Sequence, residues 1–416
     1  MFDRPLREPE PRSWTYAVFW AGLTFVTVPY VRVGVTYVTE NLGESFFTYK
    51  VVTFVVLAAV WALYSIRNRL TLSSFLWLTG VSGLIVYLAF GLAGGSPVEA
   101  IHYVQYGTLS ILLFRAFSHR IRDYSIYVVV TLTGALVGMI DETIQWLTPD
   151  RIFDLRDVWL NLKATALVQI GLAAGIRPKL ISGLPGWNSL RRLCVLSAVT
   201  LGYLGLCLQN TPERVASYAP NVPGLGFVDP FRNVMVEYGH LHGEPNTVSF
   251  RSRLTLEELS QSAARHKEEG QPDLDYIHER ETAGGYNFRE LLFKNVYLYE
   301  GRLHQLRRDQ RLTRAQDTEE EGRRARDFAA AHWENVILKD HFFDLLQGTR
   351  YEWSPELETE VRTNADLAGS YHSSISTHLL VTFSSRQLAF TCFGGVIIFL
   401  LGAVFCRRAY IRGKQD

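Results

Sequence analysis

Eight mainly apolar runs constrain this chain more than any other feature of its sequence. They cover roughly residues 14–38, 46–66, 71–93, 99–117, 124–147, 157–176, 192–209 and 387–406. About 20 apolar residues in a helix cross the hydrocarbon of a bilayer. A lone strand cannot, because its backbone polar groups would be left unpaired in lipid. The fold expected is therefore an all-α polytopic membrane bundle of about eight transmembrane helices. The sixth and seventh runs are among the shorter ones. Charges fill residues 210–385 instead. That stretch reads as a helix-rich or mixed α+β soluble extracytoplasmic domain inserted before the last helix. The division expected is a transmembrane domain with seven spans at 1–209, a globular domain at 210–385, and a final helix with a short basic tail at 386–416. The first run is long and lacks a small-residue cleavage site, so it reads as an anchor.

Basic residues set the orientation. Arg and Lys recur in residues 1–13, 66–71, 115–123, 177–192 and 407–414, whereas the short connections on the other side hold Lys50, Arg151 and Arg156. Both termini are then cytoplasmic, and residues 210–385 face outward. The setting this implies is a bacterial inner (cytoplasmic) membrane, with the lipid bilayer as the first partner. Of the 416 residues 20% are charged, with a formal net charge of +1, which gives no electrostatic case for nucleic acid. Cys194, Cys207, Cys392 and Cys406 lie in or beside apolar runs. Cys207 and Cys392 sit at similar depth, but all four read as small apolar side chains.

Against this background "GMIDETIQWLTPDRIFDLRDVWLN", residues 138–161, is anomalous. Glu142 and Gln145 share a face of the fifth run, three residues apart. Pro149 ends that helix, and Asp154, Asp157 and Asn161 share a face of the sixth. A short turn brings the two faces together around Arg151, the counter-ion expected for Asp154 or Asp157. Asp141 lies about 100° round the helix from Glu142 and is read as facing elsewhere. The fourth run adds Glu99 and His102, followed by Gln105 and Tyr106. Arg32, near the outer end of the first run, is a further buried-charge candidate, a partner for Glu142 or Asp141. Ionisable groups at membrane depth are costly, so they face the bundle interior with partners.

The spacing of Glu142, Gln145, Pro149, Arg151, Asp154, Asp157 and Asn161, with His102 upstream, resembles the signature of the VanZ-like membrane family over residues 14–176. Two departures stand out. Asp150 replaces the family's glycine before the arginine, and Leu162, Lys163 and Ala164 replace its Thr-apolar-Gly after the asparagine. The resemblance implies a bacterial envelope protein of a family named for a link to resistance to the glycopeptide teicoplanin. It implies no reaction, and no cofactor is identified.

Three readings follow. In the first, an outer-leaflet envelope molecule, a lipid or lipid-linked glycan, is handled or modified at the polar hairpin. Glu142 and His102 are then the acid/base pair, and Arg151 is an anion clamp. Gln145, Asp154, Asp157 and Asn161 bind substrate, the last three with oxygens of the kind that hold a divalent cation, although no metal site is assigned. In the second, the cluster is a polar knot fixing two helix ends. In the third, the protein is a non-enzymatic binding or assembly protein, and residues 210–385 recognise an envelope protein or glycan.

Within the insert, "NTVSFRSR" predicts a strand and Thr255 with Glu258 a capping box. Residues 317–347 predict a helix with Phe328, Ala331, Val336, Phe343 and Leu346 on one face. "THLLVTFSS" (377–385) reads as a strand. "FRELLFKNVYLYEGRLHQLRRDQR" (288–311) reads as an amphipathic helix with a solvated basic face, and His240 and His242 as surface histidines. Elsewhere, Gly171 with Gly175 and Gly80 with Gly83 predict close helix packing. Trp14, Trp20 and Trp146 read as interface anchors.

Overall fold

The computed structural model describes residues 8–43, 45–93, 97–148, 151–228, 234–244, 246–269, 273–282, 295–373 and 379–412. The chain divides into two compact units: residues 1–209 with 388–416, and residues 210–387.

The first unit is helical: α1 (Glu10–Leu42), α2 (Ser45–Ser65), α3 (Leu72–Ala93), α4 (Ile101–Phe117), α5 (Ser125–Trp146), α6 (Leu155–Ile170) and α7 (Trp187–Cys207). Among the described residues six helices are long and apolar enough to cross a membrane, among them the helix over 385–412. The parts of α1 before and after residues 31–32, which meet at 76°, make a seventh if counted as one span. Pro29 lies at this bend and lacks the amide that would bond one turn back. The remaining expected span, α4, has 17 residues, about 26 Å of helix at 1.5 Å per residue. A turn, Pro97–Ala100, lengthens it at its start.

α4 lies at the centre of this unit, with Tyr103, Tyr106, Leu109, Leu113 and Phe114 buried in the apolar core. α5 and α6 form an antiparallel pair at very close range. A Cβ on Gly134 would stand 2.6 Å from the Thr165 side chain, and one on Gly138 would stand 2.8 Å from Asn161 Cβ. α6 continues into a wider turn, Gly171–Ile176, where a Cβ on Gly175 would lie 2.7 Å from Leu78. Gly80 and Gly83, in contrast, would have nothing within 4 Å of an added Cβ among the described residues. They do not mediate the close packing expected of them. Trp146 is buried, and the Trp20 indole donates to the Gln105 carbonyl at 2.9 Å. Both belong to interior packing, where an interface role was anticipated. All four cysteines are free.

The second unit mixes helices with short strands. Its helices are α8 (Pro212–Tyr218), α9 (Leu256–Glu269), α10 (Leu274–Thr282), α11 (Val296–Asp317), α12 (Glu321–His341), α13 (Phe343–Leu346) and α14 (Pro355–Asn364). The strands are β1 (Glu237–Tyr238), β2 (His240–Gly243), β3 (Val248–Ser252), β4 (Tyr371–His372) and β5 (Leu379–Leu380). β2 and β3 pair antiparallel and β4 joins β3 in parallel, while β1 pairs with β5. A last helix, α15 (Ser385–Arg412), returns the chain to the first unit. The strand expected over 377–385 is confined to β5 within the described residues. Residues 377 and 378 lie outside them.

The Thr255 box forms as its spacing predicts. Glu258 Oε2 accepts from the Thr255 amide at 2.7 Å, and Thr255 Oγ1 accepts from the Glu258 amide at 3.2 Å. Thr255→Ala is expected to cost about 1 kcal/mol of stability, read as faster amide exchange in the first turn of α9.

α11 and α12 form a second antiparallel hairpin whose interface is polar. His304 Nδ1 lies 2.6 Å from Glu334 Oε2, with neither residue exposed. Tyr371 and Ser373 donate to Glu334 Oε1 at 2.6 and 2.7 Å. Burial alone would raise the Glu334 carboxyl. The charge on His304 and the hydrogen bonds from His304, Tyr371 and Ser373 outweigh it and hold the group below the usual carboxylate range.

Arg308, fully buried, donates to Asn335 Oδ1 at 2.9 Å and to the Tyr351 carbonyl at 2.7 Å, and lies over the Trp353 ring. Arg302 is buried as well. The basic face expected to be solvated is thus partly interior: α12 and the residues after it bring acceptors to Arg308, while Arg302 donates to Gln305 on α11 itself. His242 is likewise buried. It faces the Phe250 ring and bonds the Leu254 carbonyl at 2.7 Å, whereas His240 is exposed. The helix expected to run through residue 347 breaks at Phe342. That break changes the phase of the apolar positions, so Phe343 is exposed while Phe342, Leu345 and Leu346 are buried.

Candidate functional site

The site grows from the α5–α6 hairpin. α5 carries Asp141, Glu142 and Gln145 on its last turns. α6 starts at Leu155, and the Asp154 side chain caps it by accepting from the Arg156 amide at 2.8 Å. Asp in this position satisfies an amide that the helix leaves open. The Asp154 amide in turn donates to Glu142 Oε2 at 3.1 Å. Glu142 Oε1 accepts from Gln145 Nε2 at 2.7 Å, and Gln145 Oε1 accepts from Arg151. Arg156 also grips the Asp154 carboxylate, Nε at 3.0 Å and Nη2 at 2.7 Å from Oδ2, and approaches Glu99 at 3.7 Å. This group ties the end of one helix to the start of the next. The guanidinium held against Asp154 is that of Arg156, whereas Arg151 was expected to face Asp154 or Asp157.

A second group lies one helix away. His102, on the first turn of α4, places Nδ1 2.7 Å from Asn161 Oδ1 and Nε2 3.7 Å from Asp157 Oδ2. Tyr106, one turn further along α4, donates to Asp141 Oδ2 at 3.0 Å. With Asn161 Oδ1 as the acceptor, His102 Nδ1 carries the hydrogen and Nε2 is left to exchange a proton. Thr165 Oγ1 donates to the Asn161 carbonyl at 2.9 Å, and Gly138 leaves room for the Asn161 side chain.

A cavity of about 290 Å³ opens beside this second group. Its polar wall includes Thr24 and Thr27 from α1, Glu99, His102 and Gln105 from α4 and the turn before it, and Asp141, Gln145, Arg151 and Asp157. Val28, Val35, Val98 and Ile101 supply its apolar wall. Ligand pockets span roughly 300–1,000 Å³, so this one lies at the lower end of that range. Asp141 Oδ1, Asp157 Oδ1 and Asn161 Nδ2 are buried without a hydrogen-bond partner among the described residues. Such atoms cost about 1–3 kcal/mol each unless water or another polar molecule reaches them. Among the described residues no group of three or more His, Cys, Asp or Glu side chains is arranged to hold a metal ion.

Of the residues named from sequence, His102, Gln145, Arg151 and Asp157 line the cavity. Asn161 backs it by holding His102. Asp154 belongs to the turn. Glu142 is fully buried, spends both oxygens on Gln145 and the Asp154 amide, and is not part of the cavity lining. Asp141, read as facing elsewhere, lines it instead. A two-helix projection omits α4, whose Tyr106 draws Asp141 inward. The spacing of Gly134 and Gly138 was the available signal that α5 and α6 touch. The Arg32 side chain, Pro149 and Asp150 lie outside the described residues.

Residues 13–174 match the family model described as VanZ/LLP1, so this part of the chain is VanZ-like. No curated protein and no solved structure matches the chain.

Proposed function

Proceeding from a VanZ-like region, we propose that the protein handles or modifies an outer-leaflet envelope substrate, a lipid or lipid-linked glycan, at the His102–Asp157 cavity. The observation that carries this reading is the cavity itself, with a histidine held by Asn161 and two carboxylates that each keep a buried oxygen unpaired. Arg151 pairs with a phosphate or carboxylate of the substrate. Gln105, Thr24 and Thr27 offer hydrogen bonds to glycan hydroxyls. His102 Nε2 exchanges a proton with the bound molecule, and Asp157 stabilises the charged ring. Glu142, first assigned to acid/base work, is better used as the clamp that fixes the turn.

The topology proposed has eight crossings, with α1 and α4 added to the six long apolar helices. Both termini lie in the cytoplasm of a bacterial cell, and residues 210–385 are extracytoplasmic. The basic residues in alternate connections support it. It puts the turn between α5 and α6, and the cavity, at the outer surface.

The test is teicoplanin susceptibility of bacteria expressing the wild type or single variants at matched membrane abundance. His102→Gln and Asp157→Asn are expected to remove nearly all of the protein-dependent shift, since acid/base groups contribute roughly 100-fold or more to a rate. Glu142→Gln is expected to lower abundance and spare the shift per molecule. An undiminished shift in both cavity variants overturns the reading. It would favour the alternative of a membrane-anchored binding or assembly protein whose residues 210–385 recognise an envelope protein or glycan. That unit's own compact fold supports this second reading.

A further inference from the structure

α7 and α15 run antiparallel and meet through glycines. A Cβ on Gly205 would lie 2.9 Å from Cys392 Cβ, one on Gly395 2.5 Å from Leu201, and one on Gly402 3.3 Å from Cys194 Sγ. Towards the start of α7 and the end of α15 the pair leaves a groove of about 630 Å³. Val195, Val199, Leu400 and Val404 form its walls, and Arg191, Arg192 and Arg407 stand at its mouth.

The three arginines have no ion pair or hydrogen bond among the described residues. Asp123, the acid near Arg192, is engaged by Ser125 and by Ser189, the latter at 2.6 Å. Arg191 and Arg407 have no acid beside them among the described residues, and Arg192 feels the Asp123 carboxylate only through space, so guanidinium groups gathered at one opening gain by sharing an anion. Guanidinium matches phosphate with paired hydrogen bonds. An apolar trough leading away from that cluster matches an acyl chain. Little of α15 is covered by the rest of the chain, 11% of its apolar window, so the trough is open along its length.

We propose that the α7–α15 groove binds an anionic phospholipid, its phosphate held by Arg191, Arg192 and Arg407 and one acyl chain lying along Val195, Val199, Leu400 and Val404. Basic pockets between membrane helices select anionic lipids in this way. The proposal is independent of the His102 cavity, which involves neither helix.

The experiment is native mass spectrometry of the full chain in detergent with equimolar dioleoyl-phosphatidylglycerol and dioleoyl-phosphatidylcholine. Wild type is expected to retain phosphatidylglycerol preferentially. At roughly fivefold per arginine, the triple variant Arg191→Gln/Arg192→Gln/Arg407→Gln should lose at least tenfold of that preference. A control, Arg122→Gln/Arg408→Gln/Arg412→Gln, removes equal charge nearby but outside the groove and should keep most of it. Val199→Phe fills the trough, leaves the charges, and should weaken retention. It is the deciding variant if the triple variant does not fold. Inorganic phosphate in excess should not displace the lipid, because it lacks the chain. Equal retention of the two lipids, equal loss in the control, no effect of Val199→Phe, or full displacement by phosphate each overturns the proposal.

Discussion

Glu334→Leu lowers the stability of the second unit by about 3–5 kcal/mol and its melting temperature by roughly 10 °C. The carboxylate sits between His304, Tyr371 and Ser373 with no exposed surface. Removing it leaves a buried histidine and two hydroxyls without their acceptor, which costs more than the apolar side chain returns. Hydrogen exchange of α11 and α12 amides in the full chain reads the effect locally. Unchanged protection there would refute it.

The same group predicts an acid limb. A carboxyl held below its ordinary value contributes stability that is complete above the unfolded value of about 4.3. The contribution fades as pH falls through the lower folded value. Wild type loses it below about pH 4, and Glu334→Gln, lacking it throughout, shows a shallower decline over that window.

Gly138→Leu reduces the membrane abundance of the protein several-fold, measured by immunoblot of the full chain. The α5–α6 contact leaves no room for a side chain there, because even a Cβ would overlap Asn161. Overpacking costs about 1–3 kcal/mol or more, and losses of that size change cellular abundance. Gly138→Ala is the graded version. It moves Asn161 off His102 Nδ1 and impairs the cavity before it impairs folding. At the neighbouring contact, Gly134→Ala is rescued by Thr165→Ala, which removes the Oγ1 and Cγ2 atoms standing 2.6 Å from the new methyl. Abundance unaffected by Gly138→Leu would mean that the helices do not meet there.

The apolar runs and the hairpin spacing made the membrane helices and the VanZ-like region legible without coordinates, since a span needs little beyond length and hydrophobicity. Thr255 and Glu258 were legible for a similar reason: a capping box is local. What escaped reading depends on a third element. Asp141 turns inward because Tyr106 reaches it from α4. Arg156 takes Asp154 because its guanidinium folds back over the cap, while Arg151 donates to Gln145. Arg308 is interior because α12 and the chain beyond it present acceptors, and a helix projection contains no such partner. Glu142 was conspicuous in sequence for its charge, yet its geometry is that of a clamp.

That clamp fixes where the Asp154 amide sits beside Glu142. The Glu142 carboxylate holds a backbone amide, so it sets the azimuth of α6 as well as its starting point. One extra residue between that amide and Asp157 would swing Asp157 and Asn161 by about 100°, carrying them away from His102. Residues added before Phe153 would bulge outward and leave the bearing of α6 unchanged. Tolerance to insertion in this turn is therefore directional, with its boundary at a single peptide unit.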